Sequence, residues 1–257
     1  MNKIDKLFSE KKNILSIYFT AGFPNLNDTV KIINELENSG VDMIEIGIPF
    51  SDPLADGPVI QHSSEVALKN GMTLKLLFEQ LKKHKSQITN SKIAHLLMGY
   101  LNPVLQFGVE NFCKKAKECG ISGIILPDLP IEEYLSEYKV IFDKYDLKNI
   151  FLITPQTSDE RIRYIDTHSN GFIYLVASAS TTGVKKGIDL AQQKYFERIK
   201  KMKLKNPLII GFGISDNKSF HTACEYANGA IIGSAFIKQL QIANYRMQIK
   251  KFIKSIK

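Results

Sequence analysis

The chain contains, at positions 43–58, the sequence Met43-Ile-Glu-Ile-Gly-Ile-Pro-Phe-Ser-Asp-Pro-Leu-Ala-Asp-Gly-Pro58. Its first six residues form a short, largely apolar run, which is typical of a β-strand buried on both faces of a parallel sheet. Three prolines follow within ten residues, and they predict a stiff loop directly after the strand. One carboxylate, Glu45, lies inside the apolar run and a second, Asp56, lies in the loop.

Seven further apolar runs of this kind alternate with helical patterns along the chain. They occupy residues 14–19, 93–98, 123–126, 150–153, 172–176, 208–210 and 230–232. Eight strand–helix pairs predict an α/β fold, a (β/α)8 TIM barrel with an extra N-terminal helix, whose active site lies at the C-terminal ends of the strands. An open doubly wound sheet is the competing layout, but no glycine-rich dinucleotide fingerprint follows the first strand. We expect residues 1–257 to form a single domain.

Local signals place several helices. Thr73 is a predicted N-cap before the helical spacing of Leu74, Leu77, Phe78 and Leu81, and Thr157-x-x-Glu160 has the pattern of a capping box. Glycines are expected just after helix C-termini at positions 40, 71 and 120. One face of the last helix is predicted to carry Ile242, Tyr245, Ile249, Phe252 and Ile256.

Composition limits the classes of function. The net charge of +8 comes from lysines scattered along the chain, whereas nucleic-acid-binding proteins usually concentrate their basic residues on one face. No signal-peptide pattern opens the sequence, and no run approaches the roughly 18 apolar residues of a membrane span. Three cysteines without metal-ligand spacing are expected to be reduced thiols. We therefore expect a cytoplasmic protein without nucleic-acid or membrane partners, although an organelle stroma stays open.

The two carboxylates are candidates for proton transfer. Side chains alternate along a strand, so Ile44, Ile46 and Ile48 are expected to face the helices and Glu45 the barrel interior. An apolar interior raises the pKa of a carboxyl group, which suits a residue that gives and accepts a proton near neutral pH. Glu45 could equally pair with a buried cation. Asp56 beside a glycine could serve only a turn.

A phosphate site is predicted opposite the carboxylates. Gly211-Phe212-Gly213 ends the seventh strand, Gly233-Ser234 ends the eighth, and Thr182-Gly183 follows the sixth. Loops after strands seven and eight commonly bind phosphate in such barrels, because glycines let backbone N–H groups approach an anion. Tight turns without a ligand are the alternative.

Three tyrosines could line an aromatic substrate pocket. Tyr18 ends the first strand, Tyr100 follows the third and Tyr174 lies on the sixth. Each could equally belong to the core with its hydroxyl satisfied. None of the five histidines has metal-ligand or triad-like spacing, and His62 is expected on a helix surface. We therefore predict no metal site.

Taken together, these motifs closely resemble the family of tryptophan synthase α subunits over essentially the whole chain. The matching segments are Tyr18-Phe-Thr-Ala-Gly-Phe-Pro24, the stretch from Asp42 to Pro58, Met98-Gly-Tyr-Leu-Asn-Pro103, Leu126-Pro-Asp-Leu-Pro130, Gly211-Phe-Gly213 and Gly233-Ser234. The second segment is highly specific to that family, whereas many phosphate-binding barrels share the glycine motifs.

The resemblance implies cleavage of indole-3-glycerol phosphate to indole and glyceraldehyde 3-phosphate, a retro-aldol reaction that needs no cofactor. Glu45 matches the catalytic glutamate and Asp56 the catalytic aspartate, which would stay ionised in a more polar loop. Tyr174 matches a residue near the substrate. Four positions match phosphate contacts of the family, namely Gly183, Gly213, Gly233 and Ser234. Gly211 and Phe212 would shape the loop.

The resemblance also implies a partner, a pyridoxal-phosphate β subunit in an α2β2 heterotetramer, to which indole passes through a tunnel. Asp52 and Asn102-Pro103 fall near the expected docking face, and residues 49–58 and 179–187 would be mobile loops. The family commonly has Ser-Arg-x-Gly-Val-Thr-Gly after strand six, whereas this chain has Ala177-Ser-Ala-Ser-Thr-Thr-Gly183. Serine replaces glycine at position 180, where positive φ is harder to reach, so closure of that loop could differ.

Two other functions stay open at this point. The chain could be a lyase that works alone and releases free indole. It could instead be a barrel that mainly activates its partner, although the presence of both Glu45 and Asp56 argues against that role.

Overall fold

The computed structural model describes residues 1–177, 190–211 and 213–257, without the side chain of Gln87. Eight parallel strands pair in sequence order and β8 pairs with β1, so the sheet closes into a barrel. The strands are β1 Ile14–Thr20, β2 Met43–Gly47, β3 Ala94–Met98, β4 Gly123–Ile125, β5 Lys148–Ile153, β6 Ile173–Val176, β7 Leu208–Gly211 and β8 Gly229–Ile232. The predicted (β/α)8 TIM barrel is confirmed, and each predicted strand end lies within two residues of the observed one.

Helices surround the barrel. They are α1 Lys3–Glu10, α2 Thr29–Asn38, α3 Pro58–Lys69, α4 Leu74–Lys83, α5 Lys85–Asn90, α6 Leu101–Phe107, α7 Val109–Glu118, α8 Ile131–Glu133, α9 Lys139–Lys144, α10 Asp159–His168, α11 Leu190–Met202, α12 Asn217–Tyr226, α13 Ser234–Leu240 and α14 Tyr245–Ile256. A π-helical segment, Tyr134–Tyr138, joins α8 to α9. Within the described ranges, no helix is both long and apolar enough to cross a membrane.

The helix signals in the sequence were only partly correct. Thr73 caps α4 as predicted, because its hydroxyl accepts a hydrogen bond from the Leu76 amide. The capping residue of α10 is Ser158 rather than Thr157, whose hydroxyl instead accepts from the Thr154 amide. Ile242 was wrongly placed in the last helix: it precedes α14 and is 45% exposed.

Glycines follow the C-caps of α2, α3 and α7 as predicted. Gly40, Gly71 and Gly120 have φ of +82°, +90° and +82°. These angles lie in the left-handed region that glycine reaches without a steric penalty, so the chain reverses there and enters the next segment.

The N-terminal helix α1 closes the end of the barrel opposite the C-terminal strand ends. Asn2 caps the helix, and its side-chain amide donates to the carbonyls of Ser122 and Asp146, which precede β4 and β5. Ile4 is fully buried, and a Cβ on Gly123 at the start of β4 would lie 2.8 Å from its terminal methyl carbon. The absence of a side chain at Gly123 therefore makes room for Ile4 inside the barrel floor.

Shortening the Ile4 side chain should destabilise the whole barrel. Ile4→Ala removes buried methyl groups where neighbours cannot easily collapse, so we expect a loss of about 2–5 kcal/mol in the free energy of unfolding. Urea denaturation measures it. Val140→Ala on α9, where Val140 is 79% exposed, is the control and should change stability by about 0.5 kcal/mol or less. Equal effects of the two substitutions would show that α1 is not part of the core.

Candidate active site

Glu45 lies in the middle of β2, in register with Tyr18 on β1 and Leu96 on β3. Burial raises the pKa values of Tyr18 and Tyr174, and the negative charge of Glu45 contributes to raising both. Tyr174 stands on β6, which is four strands away from β2 and therefore on the opposite side of the closed barrel. One carboxylate reaches both rings only through the lumen, so Glu45 faces inward as the alternation predicted.

The Glu45 carboxylate is withdrawn from solvent and held by one hydroxyl. Its residue is 0% exposed, and Ser16 Oγ donates to Glu45 Oε1 at 2.7 Å. Among the described residues its other oxygen, Oε2, has no hydrogen-bond partner, and the carboxylate forms no ion pair. Burial raises the pKa of Glu45 to about 7, against the opposing effect of the Ser16 bond. The predicted rise is confirmed, and the alternative of a buried cation finds no support in these ranges.

Asp56 lies in the loop between β2 and α3, and that loop covers its side chain. The residue is 8% exposed, its amide donates to the Pro53 carbonyl, and its carboxylate accepts a hydrogen bond from Tyr100. Burial raises the pKa of Asp56 to about 6, while the Tyr100 bond lowers it. Asp56 is therefore more deeply buried than its position in a loop suggests, although it is less enclosed than Glu45. Its carboxyl group still has the lower pKa of the two and is mostly ionised at pH 7.

Tyr100 connects the Asp56 loop to the end of β3. Its hydroxyl accepts from the Ala55 amide at 3.0 Å and donates to Asp56, and its ring stacks on Phe50 with centroids 5.0 Å apart. Burial first, and then the Asp56 charge, raise the pKa of Tyr100 well above its ordinary value. The hydroxyl thus stays protonated and remains a donor to the carboxylate.

Tyr18 and Tyr174 are accommodated by glycines on the next strand. A Cβ on Gly47 would lie 2.3 Å from Tyr18 Oη, and a Cβ on Gly211 would lie 2.1 Å from Tyr174 Oη. Both distances are far below a van der Waals contact, so any larger residue would displace the ring. The charge of Asp56, like that of Glu45, raises the pKa values of both tyrosines. The two carboxylates therefore share one lumen with these rings.

The predicted phosphate residues lie at the ends of β7 and β8. Gly213 is exposed with φ of +80°, and Gly233 precedes Ser234, the first residue of α13. A Cβ on Gly233 would be 3.5 Å from Tyr18 Cδ1, so this end of the barrel adjoins the aromatic lumen. Thr182, Gly183 and Phe212 lie outside the described residues, as do the unusual segment 178–183 and the predicted loop 179–187.

Two residues of the site were missed from the sequence. Ser16 is a polar residue inside an apolar strand, two positions before Tyr18 and hence on the same face, which is a signal that could have found it. Gly47 lies two residues after Glu45, and its need for an empty Cβ position is visible only once Tyr18 is placed. His62 lies on the surface of α3 as predicted, with its side chain 57% exposed.

Comparisons with known proteins agree with this geometry. The family model described as "Tryptophan synthase alpha chain" matches residues 4–256. The tryptophan synthase alpha chain of Flavobacterium psychrophilum is 61% identical over 256 residues and covers 100% of both chains. This chain belongs to the tryptophan synthase alpha chain family.

Solved structures show the same similarity. The tryptophan synthase subunit alpha of Legionella pneumophila superposes with a TM-score of 0.87 at 34% identity, covering 100% of this chain and 97% of that one. A chain of tryptophan synthase from M. tuberculosis, in its aminoacrylate-bound form, superposes with a TM-score of 0.85 at 26% identity, covering 100% of this chain and 98% of that one. The tryptophan synthase alpha fold therefore extends over the whole chain.

The buried carboxylate should make stability depend on pH. Glu45 has a folded-state pKa of about 7, against 4.5 in a model peptide. The contribution of its carboxyl group to the free energy of unfolding is therefore complete below pH 4.5 and is lost as pH rises through 7. Glu45→Gln should therefore gain stability relative to wild type between pH 4 and pH 8, by about 3 kcal/mol. Chemical denaturation across this range measures the difference.

Glu79→Gln is the matched control, because Glu79 lies on the exposed face of α4. Its stability relative to wild type should stay flat over the same range. A flat difference for Glu45→Gln as well would mean that the Glu45 carboxyl group is not desolvated in the folded protein.

Proposed function

We propose that this chain catalyses the alpha reaction of tryptophan synthase, the cleavage of indole-3-glycerol phosphate to indole and glyceraldehyde 3-phosphate. The reaction makes the protein a carbon–carbon lyase of tryptophan biosynthesis that uses no cofactor. The observation that carries the proposal is the pair of buried carboxyl groups, Glu45 and Asp56, whose charges act on the same two tyrosines inside the barrel. Membership in the tryptophan synthase alpha chain family indicates which reaction the two carboxyl groups catalyse.

The chemistry requires an acid and a negative charge in different places. Glu45 protonates indole C3, which breaks the aromaticity of the ring and places positive charge on its nitrogen. Asp56 accepts a hydrogen bond from the indole N–H group and stabilises that positive charge. As the C–C bond breaks, its electrons restore the indole ring, the hydroxyl proton of the glycerol chain passes to Glu45, and the aldehyde forms. Glu45 ends in the protonation state in which it began.

The pKa order supports these roles. A value of about 7 for Glu45 leaves a substantial protonated fraction at neutral pH, so the group can act as an acid first and as a base afterwards. A value of about 6 for Asp56 leaves that group mostly ionised. Tyr18, Tyr100 and Tyr174 are proposed to surround the indole ring, since all three are buried, the charges of Glu45 and Asp56 both act on Tyr18 and Tyr174, and Tyr100 binds Asp56.

The phosphate is proposed to bind at the ends of β7 and β8. Gly213 and Gly233 have space at their Cβ positions, since the nearest described atoms beyond their chain neighbours would lie 3.9 Å and 3.5 Å away, and Ser234 adds a hydroxyl donor. Binding there would put the phosphate next to Tyr18, and the glycerol chain would run from it toward Glu45. Thr182, Gly183 and Phe212 enter the proposal through the family resemblance.

A β subunit is the proposed partner, in an α2β2 assembly. The family's name and the M. tuberculosis tryptophan synthase structure support a partner of this kind. On this chain Leu54 is 89% exposed between Asp52 and Asp56, and Leu105 on α6 is 46% exposed close to Asn102. These apolar side chains favour docking on the face that carries the Asp56 loop. We also propose that residues 1–257 are one domain and that the protein acts in the cytoplasm, a proposal that its similarity to bacterial proteins supports.

The assay that tests the proposal is indole release from indole-3-glycerol phosphate. Wild type should form indole, and Glu45→Gln should lower kcat by at least 1,000-fold, roughly the effect of removing an essential proton donor. Substrate affinity, measured by calorimetry, should change little because the amide keeps the shape of the side chain. A variant that keeps turnover within tenfold of wild type would reject Glu45 as the acid.

Adding a β subunit separates the remaining alternatives. Activity that rises on addition supports a subunit of a complex, and full activity without it supports a lyase that works alone. A chain without turnover in either condition would be mainly an activating partner. That outcome would contradict the proposed function.

The phosphate position has its own test. Ser234→Asp places a negative charge beside the proposed anion, so KM should rise at least tenfold through charge repulsion, corresponding to about 1.4 kcal/mol. Ser255→Asp adds the same charge at an exposed position on α14 and is the control. Steady-state kinetics of both variants give the comparison, and an unchanged KM for Ser234→Asp would place the phosphate elsewhere.

A further inference from the structure

Ser16 makes a contact that neither packing nor the proposed reaction yet accounts for. It lies on β1, is 0% exposed, and its Oγ is 2.7 Å from Glu45 Oε1. This distance is typical of a hydroxyl group that donates to a carboxylate. Among the described residues it is the only hydrogen bond to the Glu45 carboxylate, whose second oxygen is buried without a partner.

A bond to one oxygen fixes the other. The last torsion of a glutamate side chain is broad, so a carboxylate held at neither oxygen samples many orientations. With Oε1 tied to β1, rotation of the carboxylate is restrained, and Oε2 is the oxygen left without a partner among the described residues. Because Ser16 donates to Oε1, the acid form carries its proton on Oε2.

We propose that Ser16 is a positioning residue, which holds Oε1 of Glu45 so that Oε2 alone delivers and recovers the proton of the reaction. The inference rests on the proposed function for the identity of that reaction. It also has a consequence that needs no substrate. The hydroxyl stabilises the charged form of Glu45 and opposes the rise in pKa caused by burial.

A purely structural role for Ser16 makes a different prediction. A buried hydroxyl that only stabilises the fold lowers the free energy of unfolding when it is removed and leaves the kcat of the folded protein unchanged. Among the described residues, the Glu45 charge acts on Tyr18 from β1 and Tyr174 from β6, and Asp56 from the loop after β2 acts on the same two tyrosines. All three are kept in the variants below, so a shift reports the loss of the Ser16 bond.

The first experiment is a carbon-13 NMR titration of the glutamate side-chain carboxyl groups in the full chain, with Glu45 assigned by Glu45→Gln. The wild-type midpoint is expected near 7. Ser16→Ala should raise it by about one pH unit, the size expected for losing a hydrogen bond to a charged group. Ser16→Thr keeps the hydroxyl and should restore a midpoint near the wild-type value.

Ser169→Ala is the matched control. Ser169 is also buried, its hydroxyl also donates at 2.7 Å, and its acceptor is the Ile165 carbonyl, before β6 and away from the carboxylates. This variant should be less stable in thermal unfolding with no change in the Glu45 midpoint. If Ser16→Ala folds poorly, Ser16→Cys keeps a weak donor and should give an intermediate midpoint.

The second experiment measures kcat and KM for indole formation across pH. Ser16→Ala should lower kcat about tenfold with KM changed less than twofold. The alkaline limb of the kcat–pH profile should shift to higher pH together with the NMR midpoint. A Ser16→Ala midpoint equal to or below that of wild type would overturn the proposal, as would an unchanged kcat profile. A wild-type protein that titrates as expected but releases no indole would reject the proposed function while leaving the Ser16–Glu45 bond established.

Discussion

The burial of one carboxyl group, Glu45, is the constraint on which the site depends. Eight strands close around a lumen in which this group is fully withdrawn from water, and burial raises its pKa to about 7. A charged carboxylate in such a place costs free energy unless it is paired or hydrogen-bonded, and a single serine hydroxyl offsets only part of that cost. The group is therefore balanced between its two protonation states at neutral pH, which an exposed glutamate would not be.

Closure of the sheet makes this balance possible. In an open sheet the residues facing one side of β2 would meet a helix, whereas in the barrel they meet the side chains of β6. Tyr18 and Tyr174 fit inside the barrel because Gly47 and Gly211 leave room for their hydroxyls on the neighbouring strands. The aromatic lining of the lumen and the desolvation of Glu45 thus both result from tyrosines that pack against glycines on adjacent strands.

The sequence was sufficient for the strand order, the barrel and the inward direction of Glu45, because these follow from short-range periodicity and from the count of strand–helix pairs. It failed where a property depends on residues far apart in the chain. The burial of Asp56 was missed because it depends on Tyr100, which lies 44 positions further on and binds both Asp56 and its neighbour Ala55. Ser16 was missed for the same reason, since its partner lies 29 positions away on another strand. The N-cap at Ser158 was a smaller error, in which two adjacent hydroxyl residues competed for one role.

The loop after β2 joins the two parts of the proposed function. Its inner side carries Asp56, which is buried against Tyr100, and its outer side carries Leu54, which is 89% exposed. A hydrogen bond ties the two sides, because the Ala55 amide between them donates to the Tyr100 hydroxyl that Asp56 also uses. A partner that covers Leu54 would therefore restrain the same backbone that positions the carboxylate. On the proposed function, docking and charge stabilisation at the indole nitrogen act through three consecutive residues, so a loosely held loop would weaken both together.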